Sequence, residues 1–124
     1  MRARLAVTLA MIASLTEMHA QDINAMEQEY IVEATNVARR VLVAEFSKHP
    51  ERIHHLSITF SFQVDARGRP HNVKIVSKTR NAWAVDTARR ALSAAKFAPI
   101  PKKVVQTGAD LVNLQGDFNA DVPR

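Results

Sequence analysis

Apolar and polar residues alternate most regularly in Leu56–Asp65, where Ile58, Phe60, Phe62 and Val64 are each separated by one polar residue. This pattern predicts a strand with one buried face and one face in water. Residues 65–70 follow as a hairpin loop, in which Gly68 can supply a positive φ. Further alternation predicts a second strand at residues 71–77, with Val73 and Ile75 inward, and a third at 110–119.

Two segments have helical periodicity instead. In residues 23–47 the apolar residues recur at steps of three and four, which predicts an amphipathic helix that ends before His49 and Pro50. Asn81 is a suitable N-cap for a second helix through about residue 96. The predicted inward residues are Tyr30, Ile31, Ala34, Val37, Ala38, Val41 and Leu42 in the first helix, and Ala84, Val85, Ala88, Ala91, Leu92 and Ala95 in the second.

The order of these elements predicts a single α+β domain with the arrangement α-β-β-α-β. A hairpin followed by a helix and a returning strand builds a three-stranded antiparallel sheet with both helices on one face. A right-handed crossover places the strands in the order second, first, third. The first strand has the most regular apolar face, which suits the central position.

The first twenty residues differ from the rest of the chain. Arg2 and Arg4 precede an uncharged, mostly apolar run at residues 5–15, and a more polar stretch ends at Ala20. This layout predicts a secretory signal peptide at residues 1–20 and a domain at 21–124. The alternative is an uncleaved inner-membrane anchor, although the apolar run is shorter than the roughly 20 residues that span a bilayer. Removal of two arginines and one glutamate would lower the net charge from +5 to +4.

Across residues 30–119 the sequence resembles the TonB C-terminal domain family, including its TolA-like members. The resemblance lies in an ordered series of short motifs. These are the strand ITFSFQVD at 58–65, Gly68-Arg69, the strand NVKIVS at 72–77, Val85-Asp86, Ala88, Ala91-Leu92, Ala95 and the exit FAPIP at 97–101.

The resemblance implies a periplasmic, non-enzymatic domain that captures an extended segment of an envelope or outer-membrane transport protein. Family members often carry tyrosine–proline before the first strand; here the pair is His49-Pro50, which makes both residues candidate partner contacts. Energy-transducing members also have a long proline-rich linker. Only a few residues separate the predicted signal from the first helix, so a free domain is expected.

The residues indicate no catalytic or metal centre. Cysteine is absent, and His54 and His55, as neighbours on an extended segment, would point in opposite directions. Asp65 is explained by the turn that it opens, and Asp86 by its place early in a helix. We therefore predict no enzyme activity, metal or cofactor. Nucleic acid is also not expected as a partner, since the polar sheet face has no aromatic platform.

Three basic pairs, Arg39-Arg40, Arg89-Arg90 and Lys102-Lys103, would form an anion-binding surface if they converged, but each is typical of a solvated surface. Trp83 is expected to be a partly buried packing residue.

The third strand is the strongest candidate for a binding site. Lys74 and Lys78 would guard the edge formed by the second strand, whereas residues 110–119 contain no lysine, arginine or proline. An unguarded edge can accept an extended peptide through backbone hydrogen bonds. The predicted partner-binding residues are Leu111, Val112, Asn113, Leu114, Gln115 and Asp117, and we expect only one of Asn113 and Gln115 to aim its N–H outward. The alternative is a structural homodimer, or an accessory envelope protein, without a peptide ligand.

Overall fold

A computed structural model describes residues 2–121, with side chains from residue 22 onward. In chain order, the elements are α1 (Arg2–Phe46), a short 3-10 helix (Pro50–Arg52), β1 (Leu56–Asp65), β2 (Pro70–Ser77), α2 (Ala82–Ala94), α3 (Lys102–Val105) and β3 (Leu111–Ala120). The predicted α+β class is confirmed.

The three strands form an antiparallel sheet in the order β2-β1-β3, as the sequence predicts. β1 pairs with β3 without interruption from Leu56↔Ala120 to Asp65↔Leu111. Its pairing with β2 shifts between Ser61↔Lys74 and Gln63↔His71. One β1 residue therefore faces two β2 residues, which form a bulge. Asn72, with a φ of 54°, provides the left-handed conformation that such a bulge uses.

The core lies between the sheet and the helices. The alternate β1 side chains beginning with Leu56 are buried, and the others are only partly covered. α1 packs against β3 and α2, while α2 packs mainly against β2. The most deeply buried large side chains are Phe46, Phe60, Leu42, Leu56, Ile58, Leu92, Leu114, Val64 and Val104. The opposite surface of the sheet, here called the open face, carries Ser57, Thr59, Ser61, Gln63 and Asp65 of β1.

The helix boundaries agree with the sequence at three of four ends. α1 ends at Phe46, just before the predicted limit. α2 begins after Asn81, whose side-chain oxygen accepts a 3.0 Å hydrogen bond from the Ala84 N–H, as expected of an N-cap. The exception is the start of α1, which lies at Arg2 rather than residue 23. The predicted signal peptide at residues 1–20 lies outside the residues whose side chains are described.

Two short helices were not predicted. Pro50 opens the 3-10 helix, and Pro101 is the N-cap of α3. The expected extended path of residues 97–101 therefore holds only up to the second proline. There, Pro101 O accepts hydrogen bonds from Val104 N (2.9 Å) and Val105 N (3.1 Å). Proline fixes its own φ and needs no N–H donor at a helix start, so it fits both positions.

The β1–β2 turn packs against the segment that follows α2. Gly68 N donates to Asp65 O at 2.9 Å and closes the turn, and Gly68 has a φ of 85° as expected. Phe97 N then donates to Gly68 O at 3.1 Å, and Ile100 N donates to Ala66 O at 3.3 Å. These bonds join the turn to the segment through backbone atoms alone.

Candidate binding edge of the sheet

The direction of the backbone groups in β3 follows from the hydrogen bonds on the other side of β1. Lys78 N donates to Ser57 O at 3.0 Å, and Asp65 N donates to Arg69 O at 3.0 Å. Odd-numbered β1 residues therefore bond toward β2. Since successive strand residues bond to opposite sides, even-numbered β1 residues bond to β3, in pairs such as Phe60↔Gly116 and Phe62↔Leu114.

This register leaves alternate backbone groups of β3 facing away from the sheet. They are the N–H and C=O groups of Leu111, Asn113, Gln115, Asp117 and Asn119, here called the β3 edge. At about 3.4 Å per residue, it is roughly 27 Å long. Among residues 2–121, β1 is the only strand paired with β3. The expectation that only one of Asn113 and Gln115 faces outward is wrong, because residues two apart on a strand bond to the same side.

The β2 edge also needs a correction. Lys74 is paired with Ser61 in the same register as Lys78 with Ser57. The backbone of Lys74 is therefore bonded to β1, and its lysine side chain lies on the open face. The backbone groups that face away from β1 on this edge therefore belong to other β2 residues, and a proline at Lys74 would break a bond to β1.

The predicted edge residues fall into two groups. Val112 and Leu114 are buried at 2% and 1% exposure, so their side chains belong to the core and their backbone groups bond to β1. Leu111, Asn113, Gln115 and Asp117 are exposed and lie on the β3 edge. Asn119, which was not among the predicted residues, continues the same alternation and is also exposed. Extending the two-residue period by one step would have found it.

Side chains on the open face join β3 to β1. Ser57 Oγ donates to Asn119 Oδ1 at 2.7 Å, Thr59 Oγ1 donates to Asp117 Oδ1 at 2.9 Å, and Gln63 Nε2 donates to Asn113 Oδ1 at 3.0 Å. Each bond connects residues that are directly opposite in the register. The side chains of Asn113, Asp117 and Asn119 are thus held in fixed orientations, which reduces the entropy lost if they contact a partner.

A cavity of about 690 Å³ lies at the centre of this region. Its lining includes Asn113, Leu114 and Gln115 of β3, Gln63 of β1 and Ile31 of α1. Its lining therefore includes residues of both the open face and the helix layer. Ser61 of β1 and Asn72 and Lys74 of β2 also line it, so the cavity lies mainly over the open face and reaches the β3 edge at Asn113 and Gln115.

The end of β3 is fastened to the start of β1. His55 has a φ of 50°, and its backbone N–H donates to Asp121 Oδ1 at 3.3 Å. Its ring Nδ1 lies 3.0 Å from Asp121 Oδ2. This histidine thus has a local structural role, and it pairs with a carboxylate rather than with His54. Within the described residues, no three histidine, cysteine, aspartate or glutamate side chains are grouped so that they could hold a metal ion.

The other predicted contacts, His49 and Pro50, lie after α1, where the short 3-10 helix begins. The His49 ring makes an edge contact with Trp83, with centroids 5.5 Å apart, and Trp83 also contacts Phe46 at 5.7 Å. The Arg52 guanidinium lies 5.0 Å above the Trp83 ring. Trp83 is a partly buried packing residue, as predicted, and His49 contributes to the same cluster. Pro50 is exposed.

Asp65 and Asp86 lie in different parts of the fold. Asp65, in the β1–β2 turn, accepts hydrogen bonds from His71 Nε2 (2.7 Å), Arg69 N (3.0 Å) and Arg67 N (2.9 Å). These bonds, led by that from His71, lower the pKa of Asp65 to about 2. Asp86 lies on α2, beyond the opposite end of β2, and pairs with Arg90 at 3.3 Å.

Tyr30 also lies near the β1–β2 turn, and its hydroxyl donates to Ala98 O at 2.6 Å. Burial raises the pKa of Tyr30 to about 12, and the charge of Asp65 adds to the increase. The ordinary structural roles of Tyr30 and Asp65 account for both pKa changes.

The basic pairs lie on three different helices. Arg39 and Arg40 are on α1, Arg89 and Arg90 on α2, and Lys102 and Lys103 on α3. All six residues are exposed. Arg40 pairs with Glu33 at 3.4 Å, so this pair, like that containing Arg90, includes an arginine engaged by a neighbouring carboxylate.

In the part of the chain whose side chains are described, no helix is both long enough and apolar enough to cross a membrane. Comparisons with protein-family models, curated proteins and solved structures found no match to this chain.

Proposed function

We propose that this protein is a non-enzymatic periplasmic binding module, similar to the TonB C-terminal domain, which captures an extended segment of an envelope or outer-membrane transport protein. Capture takes place by addition of that segment as a fourth strand along the β3 edge. The proposal includes export by the N-terminal signal peptide. It requires no cofactor.

The observation that carries the proposal is the β3 edge itself. Five residues direct both backbone groups away from β1, and none is lysine, arginine or proline. An edge of this kind is a template for another strand, and soluble proteins usually block it with lysine, proline or a bulge. The bulge in this sheet is on β2, at the opposite edge. Backbone bonds would supply affinity, and the fixed polar side chains would supply selectivity.

A second candidate is a homodimer formed by antiparallel pairing of two β3 edges. If the twofold axis passes at Gln115, Asn113 of one chain faces Asp117 of the other, and Leu111 faces Asn119. No like charges are directly opposed, so this register is electrostatically allowed. Sedimentation at several concentrations distinguishes the candidates, because a dimer that persists at low micromolar protein favours self-pairing.

Site-specific crosslinking in cells tests the proposal. A photoreactive residue at Gln115 should give a crosslink to a different envelope protein, whereas one at Val43 should not. Val43 is a suitable control because it is 52% exposed but lies on α1. Crosslinks from Gln115 only to a second copy would favour the homodimer. Crosslinks from Val43 but not Gln115 would place the partner elsewhere and contradict the proposal.

Proline substitution then tests the mode of binding. Gln115→Pro removes an outward N–H while leaving the bonds to β1, so the fold should be retained and capture lost. Asn113→Pro should behave in the same way. Gln115→Thr and Asn113→Thr are matched controls, since they change the side chain but keep the N–H. If the folded proline variants bind as well as the threonine variants, capture does not use strand addition here.

A further inference from the structure

The charged residues along β3 and its flanks are all acidic. From residue 104 to 121 they are Asp110, Asp117 and Asp121, and no lysine or arginine occurs. Asp121 is engaged with His55 at one end of β3, and Asp110 precedes the strand. Asp117 is therefore the charged side chain on the β3 edge, where a captured segment would pass.

Asp117 is oriented by the protein but not neutralised by it. Its Oδ1 accepts the 2.9 Å hydrogen bond from Thr59 Oγ1, which leaves Oδ2 without a protein donor among residues 22–121. The next residue in the same row across the sheet is Val76, on β2. The lysines of the open face, Lys74 and Lys78, lie on β2, two strand spacings or about 10 Å away. That distance is about one Debye length in 0.1 M salt.

An added strand would bring its own side chains close to this carboxylate. Outward-bonding residues of an edge form directly opposed pairs with the added strand, and opposed side chains on one face have Cβ atoms about 4.5–5.5 Å apart. The open-face side chains of the captured segment would therefore lie opposite Asp117, Gln115, Asn113 and Leu111 in turn. Leu111, 47% exposed, provides an apolar position at the far end.

We infer that the partner segment is cationic: it carries lysine or arginine opposite Asp117, residues with hydroxyl or amide side chains opposite Gln115 and Asn113, and an apolar residue opposite Leu111. This inference rests on the proposed strand addition and specifies the partner. The cation and the apolar residue are six positions apart. The cation comes first in an antiparallel partner and last in a parallel one.

Labelled nine-residue peptides provide the test. Three acetylated, amidated peptides share an alternating valine–threonine framework and one terminal open-face leucine, and differ only in having lysine, glutamine or glutamate six positions away. The reversed sequences cover the other strand direction. Fluorescence anisotropy in 0.1 M salt should show the lysine peptide binding about two- to five-fold more tightly than the glutamine peptide, as expected for one exposed cross-strand charge pair. The glutamate peptide should bind most weakly.

Two variants test whether Asp117 causes this preference for the lysine peptide. Asp117→Asn removes the charge and can still accept the bond from Thr59, so the three peptides should bind it equally. Asp110→Asn makes the same charge change outside the β3 edge, and the preference should remain. Equal binding of the three peptides to the wild-type protein, or equal loss of preference in both variants, would overturn the inference.

The outcomes also separate this inference from the proposed function. If all peptides bind the wild-type protein equally and Gln115→Pro abolishes their binding, strand addition stands and the charge preference is wrong. If no peptide binds, or if binding persists in folded Gln115→Pro, both are contradicted.

Discussion

Replacing Gly68 with alanine should destabilise the protein, because the added Cβ would clash with backbone atoms only. The added Cβ would lie 2.1 Å from Phe97 O, 2.9 Å from Phe97 C and 3.1 Å from Ala98 O. No rotation of a neighbouring side chain can relieve such a clash. The β1–β2 turn would instead have to move away from the segment after α2. Gly68 also has a φ of 85°, which an alanine adopts with strain.

The cost follows from these two effects. A left-handed conformation costs a residue with a Cβ roughly 1–2 kcal/mol. Separating the turn from the segment loses the bonds Phe97 N to Gly68 O and Ile100 N to Ala66 O. Each contributes about 0.5–1.5 kcal/mol net. The free energy of unfolding should therefore decrease by about 2–5 kcal/mol in Gly68→Ala.

Gly108→Ala is the matched control. Gly108 has a φ of 94°, but a Cβ there would meet no atom within 4 Å. Only the conformational cost of about 1–2 kcal/mol applies. Urea denaturation followed by circular dichroism gives both values. If Gly68→Ala and Gly108→Ala differ by less than about 0.5 kcal/mol, the scatter expected among uninvolved surface positions, the proposed packing of the turn is wrong.

Three further variants test other parts of the structure. Thr87→Val should raise the free energy of unfolding by about 1 kcal/mol in urea denaturation, because Thr87 is buried and its hydroxyl has no hydrogen-bond partner among the residues whose side chains are described. Gly116→Ala should lower it by about 1–3 kcal/mol, because its Cβ would lie 2.8 Å from Cζ of the buried Phe60. His71→Ala should raise the pKa of Asp65 above about 2, as measured by carboxyl NMR. Stability linked to Asp65 is present above pH 3.8 and is lost as pH falls toward 2, so this loss should be smaller in the variant.

Strict periodicity was sufficient to predict the main elements. The alternation around Phe60 gave β1 with the correct boundaries, because one face of the strand packs against helices and the other meets water. Asn81 marked the start of α2 for a local reason, since its side chain accepts the bond from Ala84 N. The strand order followed from the handedness of crossover connections. Each of these features depends on information within a few neighbouring residues or on a general rule of connectivity.

The features that the sequence did not reveal depend on tertiary contacts. The bulge at Asn72 changes the pairing of β2 but leaves its composition like that of a regular strand. Thr87 is polar, yet it is 3% exposed because α2 packs against the sheet on that side. The short helices at Pro50 and Lys102 each span one turn, too little for a periodic signal. The outward direction of Asn113 and Gln115 could be assigned only from the hydrogen bond between Lys78 and Ser57, which lies on the far side of β1.

Amide hydrogen exchange, measured by NMR on dilute protein without added peptide, tests the exposed β3 edge most directly. The N–H groups of Asn113, Gln115 and Asp117 should exchange quickly, because they face away from β1, whereas those of Val112, Leu114 and Phe118 should be protected by bonds to β1. A lysine-containing peptide should slow the first group and leave the second unchanged. Protection of Asn113, Gln115 and Asp117 in the dilute free protein, at the level of their neighbours, would show that the edge is already covered and would contradict the account.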